Sequence, residues 1–194
     1  MTDVVQENEY VKEIRDLGIR AYSGTPEEDT YILSWWSELV AAEELDTIFA
    51  TTCRALGAFY KLFQRPNWLF YMADDQGFTL AIWAEPAFSS AFVGVWVAPR
   101  ARKSKSVFRA MQLTYYTLFT LFNTLLGVTK QENLLTEHVK LGYIIIGKVD
   151  QLLDDQTAWV LQLTKAAFTA GKLNPKRSTD HGRRKRVRQG VEGA

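Results

Sequence analysis

The sequence predicts an α+β domain in which helices cover both faces of a mixed, mostly antiparallel sheet. Three observations predict it. The first third of the chain carries apolar residues at helical spacing, the middle switches to strand alternation broken by turn residues, and the last third alternates helices with buried strands. With 194 residues, 47% hydrophobic and 13% aromatic, the chain is long enough for one domain with a substantial core.

"ENEYVKEIRDLGI" puts Val11, Ile14 and Leu17 on one helical face and stops at Gly18. "SGTPEEDTYILSWWSELVAA" opens with Thr25, then Pro26 and acids in the first turn, a strong helix start. Its apolar face is Ile32, Trp35, Trp36 and Leu39. One of two adjacent tryptophans must point away, so the surface of Trp35, Trp36, Phe59, Tyr60 and Phe63 is a candidate contact with a partner subunit. A further helix is expected from about Leu45 to Phe63, ended by Pro66.

"NWLFYMADDQGFTLAIWAEP" is two apolar runs around Asp-Asp-Gln-Gly, a hairpin with Asp74 and Asp75 in its turn. "AFSSAFVGVWVAP" is a third strand, and Gly94 inside it signals a bulge or a close backbone approach. Ser104 or Ser106 caps the next helix, whose stripe is Phe108, Met111, Tyr115, Leu118, Phe119 and Phe122. "NTLLGVTK" is a short buried strand and "QENLLTEHVKLGY" a short helix closed by Gly142. "YIIIGKVDQLLDDQTAWVLQLTK" is a last pair of strands around Asp154-Asp155. The chain thus divides into a helical region (1–66), a sheet with its helices (67–171) and a basic tail (172–194) expected to be disordered.

The single cysteine, Cys53, excludes an internal disulfide framework and fits a reducing setting, and the distant His138 and His181 offer no metal-ligand spacing. "MTDVVQENEY" lacks the basic start and apolar core of a secretory signal. The most apolar run, Leu113 to Val128, is short for a membrane span and holds four threonines, so no membrane partner is expected. Eight Lys/Arg lie beyond Gly171 against Asp180 and Glu192, which makes the tail +6 and the remainder −5. Within it, Arg183, Arg184, Lys185, Arg186 and Arg188 are candidates for sequence-independent contact with DNA phosphates or an acidic protein surface.

From Trp68 to Leu163, the order strand, "VAPRARKSKS", long helix, strand, short helix, "KLGY", strand resembles the C-terminal half of the GCN5-related N-acetyltransferase fold. The resemblance implies a three-layer α/β/α sandwich. Val97, Pro99 and Arg102 stand where that family's V-x-P-x-x-R stretch ends its fourth strand. A glycine-rich loop follows there and presents backbone N–H groups to the coenzyme A pyrophosphate. Here those places hold Arg102, Lys103, Ser104, Lys105, Ser106 and Val107, without the early glycines. The lysines replace backbone donors with charge.

The resemblance further implies acetyl-coenzyme A between splayed fourth and fifth strands, with Gly94 marking the splay and N–H near Trp96 or Val97 polarising the acyl carbonyl. The family's thiolate-protonating tyrosine falls at His138, four residues before Gly142, and its asparagine at Gln131. Glu85 is the nearest candidate base, although Pro86 beside it suggests a turn.

A narrower resemblance is to internal virion proteins of short-tailed bacteriophages, degenerate members of the same fold, carried by "RARKSKSVFRAM", "VTKQENLLTEHVKLGY" and "AWVLQLT". It implies a non-catalytic role in virion assembly or the particle, without a cofactor, in the infected bacterium's cytoplasm or the virion. Other virion proteins, a host protein or a second copy of the chain would be its partners. The alternative it leaves is an acetyl-coenzyme A-dependent N-acetyltransferase acting on an amine of a host or phage protein.

Overall fold

The computed structural model describes residues 2–49, 51–64, 68–74, 77–153 and 156–177. Helix α1 (Thr2–Asp16) ends before Gly18, whose φ of +72° turns the chain into a short strand, β1 (Ile19–Ala21). Helix α2 (Pro26–Ala41) starts on a capping box: the Thr25 hydroxyl accepts the Glu28 N–H and the Glu28 carboxylate accepts the Thr25 N–H. Helices α3 (Leu45–Ile48) and α4 (Leu56–Phe63) flank a 3₁₀ turn at Thr51–Arg54.

The sheet follows: β2 (Trp68–Asp74), β3 (Gly77–Ala87) and β4 (Ser90–Val97) form the expected meander. A 3₁₀ turn (Pro99–Ala101) leads to α5 (Lys105–Leu121), β5 (Thr124–Thr129) and α6 (Leu135–Lys140). Strands β6 (Ile144–Leu153) and β7 (Gln156–Thr164) and helix α7 (Lys165–Ala170) complete it. The seven strands run β1-β2-β3-β4-β5-β7-β6, antiparallel throughout except for the β4–β5 pair. The expected α+β class and mixed, mostly antiparallel sheet are what the chain forms.

Strand alternation on β3 organises the core. Trp83 turns to the α2 face, where its ring lies 5.4 Å from that of Trp35, and the register irregularity that leaves Thr79 unpaired brings Phe78 to the same face, stacked on Trp35 at 5.6 Å. Leu80 and Ile82 turn to the opposite face, on which α5 packs. Trp35 is wholly buried, and its neighbour Trp36 is half-buried with its indole N–H donating to the Cys53 carbonyl (3.2 Å). Both tryptophans therefore have internal partners.

Three segments depart from expectation. The helix expected over Leu45 to Phe63 is broken. Phe49 is extended (φ −119°, ψ 169°), which lets both Phe49 and Phe59 meet Trp35 edge-on at 5.6 and 5.4 Å. On one continuous helix these two residues would diverge by about 80°. Strand β1 was not expected, being only three residues beside a glycine.

The packed body also runs past Lys172. Leu173 and Asn174 are buried, the Gln112 amide donates to the Lys172 carbonyl (2.7 Å), and Arg109 donates to that of Pro175 (3.2 Å). Arg183, Arg184, Lys185, Arg186 and Arg188 lie outside the described residues. No described helix is long and apolar enough to cross a membrane.

Candidate functional site

The site begins where β4 and β5 separate. They pair in parallel only over Ser90–Phe92 and Thr124–Leu126. Two residues further along β4, Gly94 admits the Trp83 ring so closely that a Cβ there would lie 1.9 Å from it. The close approach signalled by Gly94 is thus real, but a side chain makes it, and the register irregularity of this meander lies at Met72/Ala73 instead. The gap between the strands is a cleft of about 500 Å³ walled by Val93–Val97 and Gly127–Thr129.

The direction of the β4 peptides follows from two bonds outside the ladder. Asn123 donates to the Ser89 carbonyl toward β5, and Ala98 donates to the Thr79 carbonyl toward β3. Backbone groups alternate along a strand, so Val93, Val95 and Val97 turn theirs to the β5 side. Past the splay no strand among the described residues opposes Val95 and Val97. Of the two expected sources of an N–H in the cleft, Val97 turns its N–H to the cleft side and Trp96 turns its own toward β3. Trp96 supplies the cleft wall, and its indole N–H donates to Glu44 (2.8 Å).

Glu44, just past the end of α2, also forms an ion pair with Arg102, whose Nε donates to the Val97 carbonyl (3.2 Å). Arg102 thereby lies along the β4 edge at the mouth of the cleft. The residues after it form no glycine-like cradle. Ala101 donates to Ala98 (2.8 Å), Ser104 donates to Ala101 (2.9 Å), and the Ser104 hydroxyl caps α5 by accepting from Val107. None of these residues has a positive φ, so the lysines sit there without backbone strain. Lys103, Ser104 and Lys105 line a separate depression of about 430 Å³, and Arg102 borders both. The Ser106 hydroxyl pairs with that of Ser104 (2.7 Å), and Val107 is buried.

His138 and Gln131 both line the cleft. The His138 Nδ1 lies 2.8 Å from the Leu134 carbonyl. A carbonyl only accepts, so Nδ1 carries a proton and the neutral ring offers a lone pair at Nε2. His138 acts as an acid only when both nitrogens are protonated. Glu85 is not in the cleft. It is an exposed residue within β3, opposite Phe92 on the paired side of the splay, because Pro86 continues the strand instead of turning it.

Sequence reading missed two features. Glu44 is a cleft carboxylate brought from the helical region. Tyr115 and Tyr143 also line the cleft, with their hydroxyls 2.7 Å apart and buried. Burial pushes both phenols up, Tyr115 to about 12, and Tyr143 is raised further by its neighbour. Tyr115 reads as one more residue of an apolar stripe, and nothing in its spacing announces a partner 28 residues away. No cluster of three metal-ligating side chains exists among the described residues.

No protein-family model matches the sequence, and no curated protein matches it significantly. Solved structures do resemble the fold. A variant of spermidine N-acetyltransferase from Vibrio cholerae is 12% identical with a TM-score of 0.58, covering 78% of this chain and 97% of that one. A ribosomal-protein-alanine N-acetyltransferase from Brucella melitensis is 12% identical with a TM-score of 0.54, covering 75% and 98%. An aminoglycoside 6′-N-acetyltransferase solved with coenzyme A is 13% identical with a TM-score of 0.56, covering 75% and 96%. At such identities the likeness carries the fold alone: the chain has the N-acetyltransferase fold.

Proposed function

We propose that the protein is an N-acyltransferase that takes acetyl-coenzyme A and an amine of a host or phage protein. The carrying observation is the open β4 edge, where Val95 and Val97 face a cleft of about 500 Å³ with no strand opposite among the described residues. Unopposed strand peptides bind an amide-bearing arm as a further strand would. Two structural neighbours contain coenzyme A in their complexes.

The donor supplies an activated acyl thioester. The Val97 N–H orients its carbonyl and stabilises charge developing there. At the phosphate end the Ala101, Ser104 and Val107 N–H groups are already bonded within the chain, so side chains add to the fit. Arg102, Lys103 and Lys105 supply the positive charge. Glu44 replaces Glu85 as the carboxylate in the cleft, and it is placed to accept a proton from the amine once Arg102 moves. Doubly protonated His138 gives its Nε2 proton to the departing thiolate. The Tyr115–Tyr143 pair closes the inner wall against water.

A second reading is a scaffold without chemistry, serving virion assembly or the particle and held by other virion proteins or DNA contacts of the tail. It is favoured by the self-bonded loop and by Arg102 occupying the Val97 carbonyl. Thiol release from acetyl-coenzyme A separates the two. Spermidine, an N-terminal alanine peptide and an aminoglycoside serve as acceptor probes, taken from the neighbours' substrates. Turnover that falls when Lys103 and Lys105 become alanine, and falls about 100-fold or more in His138→Ala, is expected. Background-level release with every acceptor leaves the scaffold reading.

A further inference from the structure

We propose that the tip of the β3–β4 hairpin, led by Phe88, docks the protein on an anionic lipid surface. Phe88 and Ser89 alone join the two strands, because Ala87 still pairs with Ser90. Of these two residues only Phe88 has a positive φ, 57°. That is the hairpin turn whose first position glycine fills, and a bulky side chain there strains the backbone. The Phe88 ring is 105% exposed, so no contact inside the fold offsets the strain. Other apolar groups surround the tip. Asn123 donates to the Ser89 carbonyl (2.8 Å), which sets the end of α5 beside it, where Leu121 is 52% exposed. Trp68, 36% exposed, lies against the neighbouring Phe122 ring (5.8 Å), and Phe92 on β4 is 45% exposed.

A lipid surface is the occupant because the apolar groups form a protruding point and cations stand within reach of it. A bilayer interface takes up a projecting ring of any shape, with tryptophan at headgroup level, whereas a protein partner needs a matching pocket. The Lys165 N–H donates to the Asn123 carbonyl (2.9 Å), so this exposed lysine starts from the same end of the sheet. Glu85, opposite Phe92, is an exposed carboxylate beside it. Lys165 opens α7, and Arg177 donates to the carbonyl of Ala170, the last residue of that helix. Beyond Arg177 the sequence reaches Arg183 in six residues, and Arg183, Arg184, Lys185, Arg186 and Arg188 follow one another closely. A six-residue helix is about 9 Å long and six residues of chain span up to about 20 Å, so these cations can reach the surface on which the tip rests. A shallow apolar insertion and a polybasic segment together hold a peripheral protein on an anionic membrane. Such a contact needs no spanning helix.

The test is sedimentation of the full chain with vesicles of phosphatidylcholine alone and with about one-third phosphatidylglycerol, in about 0.1 M salt. Binding is expected to the anionic vesicles and should weaken at about 0.5 M salt. Phe88→Gly is expected to bind about tenfold more weakly while its urea midpoint does not fall, because glycine suits the turn. Phe88→Trp should bind as tightly as the native chain. Absence of binding to the anionic vesicles overturns the proposal. Binding that Phe88→Gly leaves unchanged also overturns it, since the tail alone would then carry the contact. Association of the tip with a protein and not with vesicles overturns it too.

Discussion

Arg102 and Glu44 bridge the mouth of the β4–β5 cleft, joining the loop before α5 to the turn after α2 across 58 residues of sequence. The bridge has two anchors. Trp96 donates to the same carboxylate, and Arg102 donates to the Val97 carbonyl on the splayed strand. A ligand arm lying along β4 must displace Arg102 from that carbonyl. In the proposed reading Arg102 would turn from that carbonyl toward the phosphates of the ligand, and its ion pair with Glu44 would set how readily it does so.

Gly94→Ala tests the origin of the splay. A methyl group there would fall inside the Trp83 indole, which is held by Trp35 at 5.4 Å and Phe49 at 5.1 Å. The ring has little room to retreat. The variant should lose about 1–3 kcal/mol of stability, read by urea denaturation, with a changed tryptophan emission spectrum in the native state. An unaltered midpoint and spectrum would show that Trp83 is not locked over the strand.

The buried Tyr115–Tyr143 pair makes a separable energetic claim. Removing the Tyr143 hydroxyl strands that of Tyr115 in a buried site, so Tyr143→Phe should cost about 1–3 kcal/mol. With both tyrosines replaced by phenylalanine, the total loss should be clearly smaller than the sum of the two single losses. A double-mutant cycle by chemical denaturation measures this. Additive losses would mean that the two hydroxyls do not depend on each other.

The start of α2 predicts a pH dependence. Burial pushes the Glu28 carboxyl up from its ordinary 4.5, but hydrogen bonds from the Ser23 hydroxyl and N–H and the Thr25 N–H outweigh it and hold the value down. A folded-state value below the unfolded one stabilises the protein above the unfolded pKa. That stability is lost as pH falls through the folded pKa. The stability gap between the native protein and Glu28→Gln should be full at neutral pH and shrink below about 4.5. A gap independent of pH would show that the charge of Glu28 contributes nothing to the cap.

Local signals carried most of the fold. Thr25-Pro26 marked the start of α2, Asp-Asp-Gln-Gly the hairpin, and Gly142 the end of α6 with its φ of +103°. His138, four residues before Gly142, and Gln131 were legible only through the family resemblance, and both line the cleft. The missed elements depend on tertiary contacts. The break near Phe49 exists because Trp35 collects rings from several segments, and Leu173 reads as tail until Gln112 and Arg109 are seen holding its neighbours. Glu85 lay close to the fourth strand in sequence but on the paired side of the splay. Glu44, far away in sequence, lay inside the cleft.

The most direct test of the central claim is calorimetric titration of acetyl-coenzyme A into the native protein and into Glu44→Gln. One-to-one binding is predicted for both. Glu44→Gln should bind about three- to tenfold more tightly, because Arg102 is released toward the phosphates while the Trp96 indole keeps an acceptor. Absence of binding by either protein at millimolar ligand would contradict the claim that this cleft holds an acyl-coenzyme A.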